Sequence, residues 1–174
     1  MVLDRAHRFA LQLFRRLPVR ARRRVVRTIA PAYTVGSICV IEREDGAVLL
    51  VRLSYRNSWG LPGGLLKRGE SPEQAALREV KEESTLDVEL VGDPAVVVDS
   101  VARRVDVIYR ARPARGADPD GARASSPEIL EVGWFAEDAL PDLQHEASGA
   151  MVAVARRRVV RSPDGARGAE REEA

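Results

Sequence analysis

Between residues 34 and 135, runs of β-branched and aliphatic residues alternate with turn signals. Thr34 to Glu42 and Ala47 to Leu53 are the first two runs, separated by Asp45-Gly46, the strongest short hairpin signal. They predict central strands of a sheet. Leu86 to Val91 and Ala95 to Val101 predict two more, with Gly92-Asp93-Pro94 as the turn between them. Val105 to Arg110 alternates as a further strand, and Ile129 to Phe135 reads as the last. Arg112 to Ser126 is rich in Pro, Gly, Ala and charge with no apolar period, which predicts a mobile surface loop, either a lid or a tolerated insertion.

Helical spacing takes over in three places. Near the front, Phe9, Leu13 and Phe14 with Leu3, Ala6, Ala10 and Leu17 form a stripe that Pro18 ends, before a shorter pattern from Val19 to Ile29. Near the end, Glu146 to Val160 closes on Arg156-Arg157-Arg158, where cations favour a helix C-terminus. The chain then divides into a basic amphipathic helical extension (1–30), one folded domain (31–161) and a disordered tail (162–174).

The third helix, Pro72 to Ser84, has the clearest signals. Ser71 is a good N-cap, Pro72 suits the first helical position, and Gln74 completes a capping-box pattern. At about 100° per residue, Leu77, Val80 and Ser84 share one side, while Glu79, Glu82 and Glu83 cluster on another, with Ala75 leaving them uncrowded. Three carboxylates so spaced repel one another. They form either a solvated acidic face or a site for a hard divalent cation, which takes one or two carboxylates plus phosphate and water. The Gly63-Gly64 pair just upstream lets backbone approach a ligand and can offer a carbonyl. Arg78, one turn before Glu82, can hold a carboxylate in place.

From Gly64 the chain runs five residues to Glu70, seven more to Arg78-Glu79, then Val80, Lys81, Glu82-Glu83 and, three residues on, Leu86. This spacing resembles the Nudix box, with one departure: Thr85 stands where the family has Gly. A β-branched residue suits positive φ poorly, so the helix exit is expected to relax or extend by a residue. The resemblance covers about residues 34–143 in element order. It implies an α+β fold, an α/β/α sandwich with a mixed β-sheet between helices, and hydrolysis of a diphosphate linkage in a nucleoside diphosphate or triphosphate derivative by water attack on phosphorus. It implies Mg²⁺, with Mn²⁺ as a substitute, held by Glu79, Glu82, Glu83 and the Gly64 carbonyl. Arg78 would orient a glutamate, Glu70 would support the loop and helix start, and Glu82 or Glu79 would take the water's proton. Arg52, Tyr55 and Arg56, ahead of the Trp59 to Gly64 stretch, are candidate substrate contacts. An acid from a later loop is the alternative base, since some family members draw an additional glutamate from the region of Glu128 and Glu131, although these two read first as exposed strand charges.

Composition narrows the remaining classes. With 45% hydrophobic and 31% charged residues over 174, the chain is one domain's worth of ordinary globular protein. Cys39 is the only cysteine, which excludes an intramolecular disulfide and suits a small core residue in a reducing compartment. His7 and His145 are isolated. No stretch is long and apolar enough to span a bilayer, and no secretory signal pattern is present, so a cytoplasmic protein is expected. Residues 1–30 hold nine arginines against Asp4, so the basic balance is local to them. This segment is expected to pack its apolar face on its own domain, with peripheral contact to an anionic membrane as the second reading. It also resembles a mitochondrial targeting peptide, although it lacks serine. A small-molecule nucleotide is the expected partner, and homodimerisation is left open. Two rival readings stand beside this one. A non-catalytic nucleotide sensor of this fold would be expected to lose the carboxylates that this chain keeps. RNA 5′-end processing would call for base-stacking aromatics, which are sparse at 5%, so no specific nucleic-acid binding is expected.

Overall fold

A computed structural model of the chain describes residues 11–161 other than residue 13, with side chains described as far as residue 157. The front half of the first apolar stripe and the tail 162–174 lie outside the described residues. The chain divides into two compact units, residues 1–33 and 34–174.

In the first unit, residues 14–16 are helical and Pro18 is extended (φ −56°, ψ 151°). A new helix, α1, then spans Val19–Ile29 and ends where the Ala30 N–H donates to the Val26 carbonyl at 2.8 Å. No residue of α1 is buried.

The second unit runs β1 (Thr34–Ile41), β2 (Val48–Leu53), β3 (Trp59–Gly60), β4 (Gly63–Leu65), α2 (Pro72–Ser84), β5 (Val88–Asp99), β6 (Arg104–Pro113), a 3-10 turn (Pro119–Gly121), β7 (Ile129–Phe135) and α3 (His145–Arg161). Four strands form a mixed sheet in the order β4-β1-β6-β5, with β1 parallel to β6 and antiparallel to β4. The other three form a separate antiparallel sheet, β3-β2-β7.

The expected α+β sandwich is present, and its mixed sheet accounts for four of the strands. Asp45-Gly46 does make the tight turn, with Gly46 at φ 84° and the Arg43 N–H donating to the Ala47 carbonyl. Only a single bridge, Glu42 to Val48, joins the two arms before they part. Each arm therefore becomes the central strand of its own sheet. Both faces of β1 are covered, which explains its unbroken apolar run. Ile38, Val40 and Ile108 pack with Ala147, Ala150 and Val154 of α3; Cys39, Ile41 and Ala111 pack with Val80 of α2. Cys39 is fully buried, and burial pushes its thiol up to about 12, so it is a core residue.

Three local expectations are corrected. Gly92-Asp93-Pro94 is a bulge, not a turn. Pairing with β6 breaks after Val91 opposite Arg110 and resumes at Ala95 opposite Ile108, because the apolar runs on both sides of it find partners on the same strand. The Arg112 to Ser126 segment is tied down. β6 continues to Pro113, the Arg123 N–H donates to the Ser84 carbonyl (3.0 Å), and the Ser125 hydroxyl donates to the Glu82 carbonyl (2.6 Å). Trp134 Nε1 adds a bond to the Pro119 carbonyl at 2.9 Å. The segment thus meets carbonyls that the end of α2 leaves unpaired, a role that leaves no apolar period to read.

The third correction concerns Thr85. It neither relaxes nor extends the helix but adopts the left-handed conformation itself, at φ 62° and ψ −3°. Its N–H donates to the Lys81 carbonyl, and Lys81 Nζ reaches both the Thr85 carbonyl (3.1 Å) and Asp87 Oδ2 (2.8 Å). Both of the contacts that Thr85 itself makes use its backbone. Thr85→Gly should therefore stabilise the protein by about 1 kcal/mol, raising Tm by about 2–4 °C in thermal unfolding followed by circular dichroism. A lower Tm would show that the threonine side chain contributes something these contacts do not.

Candidate active site

The start of α2 is fixed by a reciprocal cap. Ser71 Oγ accepts from the Gln74 N–H at 3.2 Å, while Gln74 Oε1 accepts from the Ser71 N–H at 3.0 Å. Ser37 of β1 then anchors the first turn, donating through Oγ to the Pro72 carbonyl at 2.8 Å.

The inward face of α2 is lined by small residues. Ala75 and Ala76 are fully buried along with Val80 and Ser84, whereas Leu77 is 37% exposed. At 100° per residue, Glu79 and Glu83 fall inside the arc bounded by these buried positions. They are therefore inward-facing carboxylates, aimed at β4. The alanines make this orientation workable, because small side chains let the helix lie close to the sheet.

Gly63 and Gly64 of β4 receive them. The Gly63 N–H donates to Glu83 Oε2 at 3.2 Å. A Cβ at Gly64 would collide with the Glu79 carboxylate, and one at Gly63 would collide with the Ser37 carbonyl. Burial raises the Glu83 carboxyl to about 8. The Gly63 hydrogen bond opposes this rise, and the charges of Glu79, Glu128 and Glu82 add to it.

Arg78 gathers the remaining acids. Its Nε and Nη2 form a two-pronged pair with Glu70 at 2.7 and 2.9 Å, and its Nη1 lies 2.7 Å from Glu79 Oε1 and 3.1 Å from Glu82 Oε2. Hydrogen bonding from Arg78 and from the Lys67 N–H holds Glu70 down at about 2. The same partners raise the pKa of Arg78, which stays charged at any working pH. Glu82 is half exposed and also meets Lys67 Nζ at 3.3 Å.

A cleft of about 400 Å³ opens over the glycine pair. Gly63, Gly64, Glu79 and Glu83 line it together with Tyr55, Arg56, Arg104 and Glu128. Of the residues singled out from sequence, Gly64, Glu79, Glu83, Tyr55 and Arg56 thus share one cavity. Glu70, Arg78 and Glu82 are joined to Glu79 through the arginine but do not line it. Arg52 is absent from the lining and pairs instead with Glu131 at 2.6 Å across β2 and β7. Glu128, read from sequence as an exposed strand charge, lies in the cleft because its carbonyl accepts the Ser54 N–H at 2.7 Å, beside Tyr55. Arg104, which sequence reading passed over, enters from β6.

Among the described residues, no three acidic, histidine or cysteine side chains converge as a ready-made cation site. The donor chemistry nonetheless fits Mg²⁺. Two carboxylates and a backbone carbonyl offer only hard oxygens, and Mg²⁺ completes its shell with phosphate and water. The upward push on Glu83 by neighbouring glutamates marks an excess of negative charge that a cation would relieve.

That push has a measurable consequence for stability. Because the folded-state value is raised, Glu83 contributes stability that is present at low pH and lost as pH climbs through about 8. Glu83→Gln keeps an acceptor for the Gly63 N–H and removes the titration. In chelator-treated protein the variant should gain on the parent by on the order of 2 kcal/mol between about pH 5 and about pH 9. A pH-independent difference in Tm would refute the buried, charge-crowded placement.

Comparison with known proteins agrees with this geometry. A family model for the NUDIX domain matches residues 32–155. A MutT-like protein of Streptomyces ambofaciens is 33% identical over 119 residues, covering 68% of this chain and 74% of that protein. The 8-oxo-dGDP phosphatase of Homo sapiens is 33% identical over 131 residues; the match covers 71% of this chain and only 36% of that longer protein. Among solved structures, a NUDIX hydrolase from Nitrosomonas europaea superposes with a TM-score of 0.61 at 28% identity, covering 70% of this chain and 69% of that one. With the box residues assembled around one cleft and the family model spanning most of the chain, this protein belongs to the Nudix family of pyrophosphohydrolases.

Proposed function

We propose that the chain hydrolyses the diphosphate linkage of a nucleoside diphosphate or triphosphate derivative, using Mg²⁺ held by Glu79, Glu83 and the Gly64 carbonyl. The observation that carries this reading is the inward aim of Glu79 and Glu83 at a glycine pair, inside a cleft that also holds Tyr55, Arg56 and Arg104. Mg²⁺ bound there supplies charge neutralisation for the non-bridging phosphate oxygens.

The chain's own groups do the rest. Arg78 holds Glu79 through its Oε1, while Glu70 holds Arg78 in place. Arg56 presents positive charge to the phosphates, Arg104 lies beside it with its Nε paired to Asp106 at 2.8 Å, and Tyr55, 67% exposed, offers a ring face to a base. The attacking water gives its proton to a carboxylate. Glu79 is engaged by Arg78, and Glu82 by Arg78 and Lys67. Glu128 lines the cleft with no ion-pair partner among the described residues, so it is the proposed base. Similarity to the human 8-oxo-dGDP phosphatase supports nucleotides carrying an oxidised guanine as the first substrates to try.

The test is phosphate release from a panel of nucleoside di- and triphosphates, including 8-oxo-dGDP, with Mg²⁺ or Mn²⁺. Turnover should vanish with chelator and fall by about 10²–10³ in Glu83→Gln. Glu128→Gln should lower kcat by about 10² with little change in KM. Full Mg²⁺-dependent turnover in a folded Glu83→Gln variant would overturn the proposal.

A further inference from the structure

The first unit carries a surface that the hydrolytic reading does not use. Around α1, Val19, Ala21, Val25, Val26 and Ile29 occupy one half of the helix, and Arg20, Arg23, Arg24 and Arg27 occupy an arc of about 100° on the other. The helix contains five arginines and no acid. Its apolar half is open to solvent, with Val19 53%, Val26 47% and Ile29 77% exposed.

Arg22 is the exception to this division, since it sits within the apolar half. Its Nε is buried without a hydrogen-bond partner among the described residues, in a groove of about 470 Å³ lined by Phe14, Val19 and Val26 with Arg23 and Arg27. A guanidinium N–H hidden from water and left unmet is costly, and an anionic acceptor entering the groove would satisfy it.

A phospholipid surface matches all three features together. Its phosphates answer the arginine arc and Arg22, and its acyl boundary takes the valines and Ile29. A nucleic acid would answer the arginines but leave the apolar half in water. Among the described residues no helix is long and apolar enough to cross a membrane, so the contact is peripheral. We infer that α1 lies flat on an anionic phospholipid membrane, with its apolar half in the headgroup–acyl boundary and its arginines on the lipid phosphates.

The experiment is sedimentation of the full chain with vesicles of phosphatidylcholine alone, or of phosphatidylcholine mixed with phosphatidylglycerol. The chain should bind the anionic vesicles, release from them as salt rises and the Debye length shrinks, and ignore the neutral ones. Arg23→Gln with Arg27→Gln should weaken binding by about fivefold per arginine. Val26→Ser with Ile29→Ser, which leaves the charge unchanged, should weaken it by at least about tenfold through lost apolar burial. Both variants should keep the parent's thermal unfolding, which separates lost docking from lost folding. Failure to bind anionic vesicles, or equal binding to neutral ones, overturns the inference. So does a serine variant that binds like the parent while RNA competes fully, which would mark a nucleic-acid surface instead. None of these outcomes depends on the hydrolytic reading.

Discussion

Two carboxylates on the inward half of a helix form the constraint from which the rest of the site follows. Glu79 and Glu83 lie among Ala75, Ala76, Val80 and Ser84, positions that normally hold only apolar or small groups. A carboxylate there needs hydrogen bonds and room. β4 supplies both, with an N–H from Gly63 and no Cβ at Gly64. The short β4 strand, its pairing with β1 and the Ser37 anchor on Pro72 all hold that glycine pair against the helix.

Arg78 makes the arrangement electrostatically tolerable without filling the cleft. One guanidinium contacts Glu70, Glu79 and Glu82 from the side of the helix that faces away from the cavity lining. Its five N–H groups in a rigid fork permit this, where a lysine would offer one point charge. Glu70, which also accepts from the Lys67 N–H, thereby ties the loop before the helix to Arg78. Glu83 has no such cation and remains the crowded member of the group.

Much of this was legible in the sequence, where local signals are strong. The capping box, the Asp45-Gly46 turn, the bounds of α2 and the strand Ile129–Phe135 all follow from residues within a few positions of each other. What escaped depended on partners far along the chain. The bulge at Gly92-Asp93-Pro94 looks like a turn until β6 is known to pair with both sides of it. The segment after Pro113 looks loose until the carbonyls at the end of α2 are seen to need its donors. Leu77 shares a side with Val80 in the helical count yet is 37% exposed, because the two buried alanines bring the neighbouring arc of the helix against the sheet instead. Glu128 and Arg104 come to the cleft through sheet topology, which no local spacing encodes.

The same bulge also governs how this chain behaves toward copies of itself. β5 is an edge strand of 12 residues with Val96 and Val98 more than half exposed, the sort of segment that recruits another strand and seeds aggregates. Pro94 removes a donor from that edge, Gly92 turns it at φ 69°, and Arg157 of α3 bonds the Asp93 and Pro94 carbonyls. The strand is left as two short pieces that cannot template a neighbour along their full length. A valine-rich border is thus kept colloidally quiet by an arginine from the far end of the chain, so changes in the last turns of α3 bear on solubility as well as on packing.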